Sequence, residues 1–163
     1  SNCLGQGHVE FFGKIRDKET GKCLREAKVR VVDLQDTGRT TLQQADRRGT
    51  YRFSLDYDAW YLLRFMAPGY VSKGMAVDLR GIPLSQREAG FNMSIDAALL
   101  ERLDSVDYGI VEEFPFGMAV YDPALNNIVW DMDYTTRQRK DQELVMKEHL
   151  ARRNVVRARR RGR

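Results

Sequence analysis

Residues 50–66 carry the pattern that most restricts the fold. Tyr51, Phe53 and Leu55 alternate with Arg52, Ser54 and Asp56, and Tyr61, Leu63 and Phe65 alternate with Trp60, Leu62, Arg64 and Met66. Successive side chains of a strand point to opposite faces, so this period of two selects two strands that each bury one face. A helix would scatter the same six residues around its circumference. Asp46-Arg47-Arg48-Gly49 reads as the turn before the first run, with Gly49 available for positive φ. Asp56-Tyr57-Asp58 reads as a hairpin connection between the two runs.

The same period recurs along the chain. Val9, Phe11, Gly13 and Ile15 form one set, followed by Ala27, Val29 and Val31, then Met75, Val77 and Leu79, then Phe91, Met93 and Ile95. Thr40–Gln44 reads as a short polar edge strand. Beyond Asp96, Ala97–Leu103 reads as a helical turn, and 108–111, 116–121 and 127–130 as further strands. Asp122–Asn127 is the turn between the last two. Short strands separated by turns, with no long helix before Thr135, predict an all-β sandwich.

At Thr135 or Thr136 the pattern becomes helical, with a threonine cap and the pairs Glu143/Lys147 and Glu148/Arg152 at i,i+4 spacing. Leu144, Val145, Met146 and Leu150 give only a narrow apolar stripe. Such a helix is expected to bury little, so its removal from Asp141 onward should leave stability unchanged. The arginine-rich residues 157–163 are expected to fray.

Five motifs in order resemble the carboxypeptidase regulatory-like domain: Gly13-x-Ile15-x-Asp17, Thr20-Gly21-Lys22-x-Leu24, Ala27-x-Val29-x-Val31, Asp46-x-x-Gly49-x-Tyr51-x-Phe53 and Gly69-Tyr70. The resemblance covers roughly residues 8–80 and implies a seven-stranded transthyretin-like sandwich of the prealbumin-like, starch-binding-like group. The chain departs from that pattern at Cys23, where the family carries proline, and at Glu26, where it carries glycine. Together with the later Tyr121–Thr135 stretch, the resemblance points to exported envelope proteins of Bacteroidetes-type bacteria. It implies a scaffold without peptidase chemistry, since the regulatory domain is an accessory to the enzyme. The resulting layout is a disordered N-terminus over 1–7, a sandwich over 8–96, a β-hairpin extension over 97–134 and a basic helical tail over 135–163.

Charge divides the chain in two. Arg137–Arg163 holds 11 Lys and Arg against 3 Asp and Glu, so of the 27 basic and 23 acidic residues the body keeps 16 and 20. A mildly acidic body carrying a strongly basic tail makes Arg152, Arg153, Arg157, Arg159, Arg160 and Arg161 the candidate contact for another envelope protein or an anionic surface. Nucleic acid fits poorly, because the aromatics lie far upstream of the arginines and no stacking-plus-phosphate surface is interleaved.

A carbohydrate-binding module is the alternative, with Tyr57, Trp60, Tyr70 and Trp130 as the stacking aromatics beside Tyr61. Asp56/Asp58 and Asp131/Asp133 are close carboxylate pairs without the loop spacing of a Ca²⁺ site. His8 and His149 stand near opposite ends, with no zinc-type spacing. No catalytic residue, cofactor or metal site is therefore expected. No run reaches the length of apolar residues needed to span a bilayer. The opening Ser1-Asn2-Cys3 suggests that a targeting segment has been removed, and an exported, periplasmic or outer-membrane-associated location is expected, with Cys3 a candidate lipid attachment point.

Overall fold

The computed structural model describes residues 7–163, so the expectations for residues 1–6, Cys3 among them, lie outside it. The alternating runs become β1 (Val9–Asp17), β2 (Lys28–Asp33), β3 (Thr40–Gln44), β4 (Thr50–Leu55), β5 (Trp60–Met66), β6 (Lys73–Asp78) and β7 (Phe91–Ser94). They are followed by β8 (Ala97–Leu99), α1 (Gly109–Glu113), β9 (Met118–Asp122), β10 (Asn127–Trp130) and α2 (Met132–Arg161). One sheet runs β4-β1-β7, with β8 also on β1, and the other runs β10-β9-β6-β5-β2-β3. The protein is an all-β sandwich with a C-terminal helix.

The core lies between the two sheets, and parity decides its membership. Tyr51, Phe53, Leu55, Tyr61, Leu63 and Phe65 are all buried, in one cluster with Ile15, Val29 and Val31. Each such side chain contributes roughly 1.5–3 kcal/mol on leaving water. Phe11 pairs with Phe53 across β1 and β4, their rings 6.0 Å apart. Tyr51, paired with Gly13, donates its hydroxyl to the Ile95 carbonyl at 2.6 Å. Gly13 is glycine for lack of room: a Cβ there would lie 1.9 Å from that same carbonyl oxygen. Burial and the nearby Asp96 carboxylate push the Tyr51 phenol up, so it stays a donor.

Several local expectations are corrected. Asp56–Asp58 is not a hairpin turn, because β4 and β5 belong to different sheets and the segment crosses between them. Ala97–Leu99 is a strand rather than a helical turn. It pairs in parallel with Ile15–Asp17, the half of β1 that β7 leaves open beyond Phe12. Tyr108–Val111 is not a strand. Tyr108 precedes the short helix α1, which buries Val111 and is opened by Asp107 accepting from the Gly109 amide at 2.8 Å. The β9–β10 hairpin continues the larger sheet, because β9 pairs in parallel with β6.

Helix α2 begins at Met132, ahead of the expected threonines. Asp131 caps it, its carboxylate accepting from the Tyr134 amide at 3.0 Å, and Thr135 returns its hydroxyl to the Asp131 carbonyl at 2.8 Å. The helix also continues to Arg161, through residues expected to fray. The expected stripe is rotated: Leu144 is 61% exposed, whereas Val145 and His149 are buried. Val145 joins Val71, Tyr108 and Val111 in a second small core beneath the helix. Of its thirty residues only Val145 and His149 are buried, so the helix buries little, as expected, and what was not expected is its polar anchorage through His149. No helix among the described residues is long and apolar enough to cross a membrane.

Candidate functional site

The turn after β1 creates the seat for α2. Asp17 accepts from the amides of Glu19 at 2.7 Å and Thr20 at 3.0 Å, and its other carboxylate oxygen accepts from Tyr70 Oη at 2.6 Å. This fixes the backbone that carries Glu19. Burial and the bond to Asp17 push Tyr70 up to about 12. Burial would raise Asp17, but the Tyr70 hydroxyl and the turn amides outweigh it and hold the carboxyl below its ordinary value.

His149 reaches this seat from the helix. Its Nε2 lies 2.9 Å from Glu19 Oε1 and its Nδ1 2.8 Å from Tyr108 Oη, with the ring fully buried. Arg153 closes on the other oxygen of Glu19 at 2.7 Å, and Arg157 reaches the same oxygen at 3.5 Å. Burial alone would raise Glu19, but the hydrogen bonds from His149 and Arg153 prevail and its carboxyl lies below the ordinary value. Arg152 donates to the Asp104 carbonyl at 3.0 Å. Farther back, Tyr134 donates to the Pro115 carbonyl at 2.9 Å.

These contacts divide the six candidate arginines. Arg152 and Arg153 hold the helix to the sandwich, and Arg157 is shared between Glu19 and solvent with 58% of its side chain exposed. Arg159, Arg160 and Arg161 are exposed on the last helical turns. The expected pairs Glu143/Lys147 and Glu148/Arg152 are not among the ion pairs of the described residues. Sequence reading missed Glu19, Tyr108 and His149 as partners. The available signal was a histidine four residues after Val145, on the same helical face.

The candidate aromatics are not one platform. Trp60 opens β5 and Tyr70 follows its other end, so the two are separated by roughly 20 Å of strand at 3.3 Å per residue. Arg87 lies over the Tyr57 ring at 5.0 Å and Arg80 over the Trp60 ring at 4.8 Å. Each guanidinium is held by two bonds to an aspartate, Arg87 to Asp58 at 2.8 and 2.7 Å and Arg80 to Asp78 at 2.9 Å through both. The hydrogen bonds from these arginines hold the Asp58 and Asp78 carboxyls below their ordinary values. Trp130 packs on Phe116 at 5.8 Å, and Gly117 stands against its ring. The indole N–H of Trp60 is buried without an acceptor. Among the four, then, one face each of Tyr57 and Trp60 is covered by arginine, and Tyr70 is tied to Asp17.

The carboxylate pairs also have local partners. Asp58 binds Arg87, and Asp131 is the helix cap. Among the described residues no group of three or more His, Cys, Asp or Glu converges to hold a metal ion.

No family model matches the chain. No curated protein sequence matches it either. Solved structures do. The chain is similar to a candidate carbohydrate-binding protein from Bacteroides uniformis, at 18% identity over 61% of this chain and 45% of that one, with a TM-score of 0.39. It is similar to a candidate membrane-associated protein of unknown function from Bacteroides fragilis, at 19% identity over 61% of this chain and 31% of that one, TM-score 0.39. It is also similar to catechol 1,2-dioxygenase from Acinetobacter, at 16% identity over 71% of this chain and 59% of that one, TM-score 0.43. The chain spans less than half the length of the two Bacteroides proteins.

Proposed function

We propose that the chain is a non-catalytic interaction module of the bacterial cell envelope, of the carboxypeptidase regulatory-like type, that presents the arginine-rich end of α2 to an anionic partner. The observation that carries this reading is the division of the helix. Up to Arg153 its inward side chains are engaged by the sandwich, while residues 157–163, five of them arginine, are exposed. A docked helix positions that charge rigidly, which a solvated tail would not do, and binding then loses less conformational entropy. The placement of the last helical turns at the margin of a mildly acidic body also favours an oriented encounter. Export and the envelope setting rest on the sequence resemblance and on the ordered motifs from Gly13 to Tyr70.

The test is sedimentation with vesicles containing anionic phospholipid, compared with purely zwitterionic vesicles. The full chain should bind the anionic vesicles, with affinity falling steeply as salt rises, because exposed charges are screened within about 8 Å at physiological ionic strength. Replacing Arg159, Arg160, Arg161 and Arg163 together by serine should abolish the binding while the thermal transition stays in place. Equal binding by both forms would end the reading.

A further inference from the structure

Beneath α2 there is a cavity of about 70 Å³, between the helix and the sandwich. Leu99 of β8, Val111 of α1 and Met146 of α2 supply apolar wall, Gln142 supplies an amide, and two lysines, Lys18 and Lys73, complete the lining. Lys73 occupies an unusual position for a cation. On β6 it pairs with Phe65 of β5 and shares the parity of Met75 and Val77, both fully buried in the core. Its ammonium lies 4.5 Å from the centre of the Phe116 ring. Neither lysine is among the ion pairs of the described residues. Burial, with repulsion from Lys18 added, brings Lys73 down to about 8.

Lys73, half-buried on this apolar hollow with the Phe116 ring as its neighbour and no carboxylate in the lining, is poorly compensated, and Lys18 stands beside it as an exposed second cation. An anion entering the hollow would pair with both, and an attached alkyl chain would cover Leu99, Val111 and Met146 in place of water. We propose that the cavity is a binding site for a short-chain aliphatic monocarboxylate, its carboxylate held by Lys73 and Lys18 and its chain against the apolar wall. Volume sets the length. A water needs roughly 10–15 Å³ of such space, so the cavity holds about five or six heavy atoms, the size of propionate or butyrate. Phosphate and sulfate suit it less, because the wall offers little for their remaining oxygens. None of residues 157–163 lines the site, so it is tested separately from the tail.

Butyrate titration of the full chain, followed by amide NMR, tests the assignment. Saturable shifts are expected at Val71, Leu99, Leu100 and Val111, with a midpoint on the order of 1 mM for so small a ligand. Lys73→Met should remain folded, since it removes a charge from a half-buried, largely apolar place, and should weaken binding by about tenfold or more. Lys18→Met should weaken it less, and Lys22→Met, in the exposed turn, should leave it unchanged. Butanol, which keeps the chain and lacks the charge, should give no saturable shift. Absence of saturation, equal binding by Lys73→Met, or an equal response to butanol would each overturn the proposal.

Discussion

His149 Nε2 and Glu19 Oε1 lie 2.9 Å apart, joining the C-terminal helix to a turn 130 residues earlier. The contact converts an outwardly polar helix into part of the fold, because the imidazole is fully buried and its other nitrogen is engaged by Tyr108. Glu19→Gln should therefore destabilise the protein by about 1–3 kcal/mol, the usual cost when a charged hydrogen-bond network loses a partner. Thermal unfolding of the two proteins checks this, and hydrogen exchange should speed first at residues 145–156.

The same contact sets an acid limit. The Glu19 carboxyl lies below its ordinary 4.5 in the folded chain, so the stability it contributes is present above that value and is lost as pH falls through the folded value. Melting temperature should drop on the acid side of 4.5, and the drop should be shallower in Glu19→Gln. Identical pH profiles for the two proteins would show that the carboxylate is not coupled to folding.

Truncation distinguishes the two parts of the helix. Removing residues 157–163 should leave the melting temperature almost unchanged and abolish binding to anionic vesicles. Removing residues from Asp141 onward should lower the melting temperature clearly, since Val145 and His149 leave with it. Similar melting temperatures for the two truncations would contradict the docked helix.

Glu26 stands at φ 56, the left-handed region that the resembled family fills with glycine. A side chain there costs roughly 1–2 kcal/mol against its absence, partly offset by the greater freedom of glycine in the unfolded chain. Glu26→Gly should accordingly be neutral or stabilising by up to about 1 kcal/mol in denaturant unfolding. A clear loss would mean that Glu26 makes a compensating interaction.

Phe53→Ala should cost on the order of 3–5 kcal/mol, because the ring is buried and packs on both Phe11 and Tyr51. Trp60→Ala should act through stability as well. With Arg80 over its ring and its N–H inside, a glycan array should read the same before and after the change. A glycan signal that disappears with Trp60 would instead revive the carbohydrate reading.

Much of the sandwich was legible because parity is a local property: each residue's face follows from its neighbour's. Which strand pairs with which is not local. Nothing in Asp56–Asp58 distinguishes a hairpin from a crossover between sheets, and nothing in Ala97–Leu99 announces the open half of β1. The helix stripe was misjudged for a related reason. Apolar content alone favoured Leu144, whereas the docked face is chosen by Glu19 and Tyr108, which periodicity within α2 cannot see. Lys73 gives no signal in the sequence, because a lysine that opens a strand ordinarily lies in solvent.

The parallel pairing of β1 with β7 and β8 also governs when the protein can complete itself. During synthesis Val9–Asp17 emerges well before its partners at Phe91–Ser94 and Ala97–Leu99, and before β4 only its C-terminal end is engaged, by the Arg16–Cys23 bridge. Its early antiparallel bonds to β4 leave the edge that later takes β7 and β8 unpaired for some 40 residues of further chain. Contacts of such long sequence separation fold slowly, and an open edge is a template for pairing with another chain. Assembly of this sandwich is thus a race between the arrival of residues 91–99 and self-association of the half-built sheet.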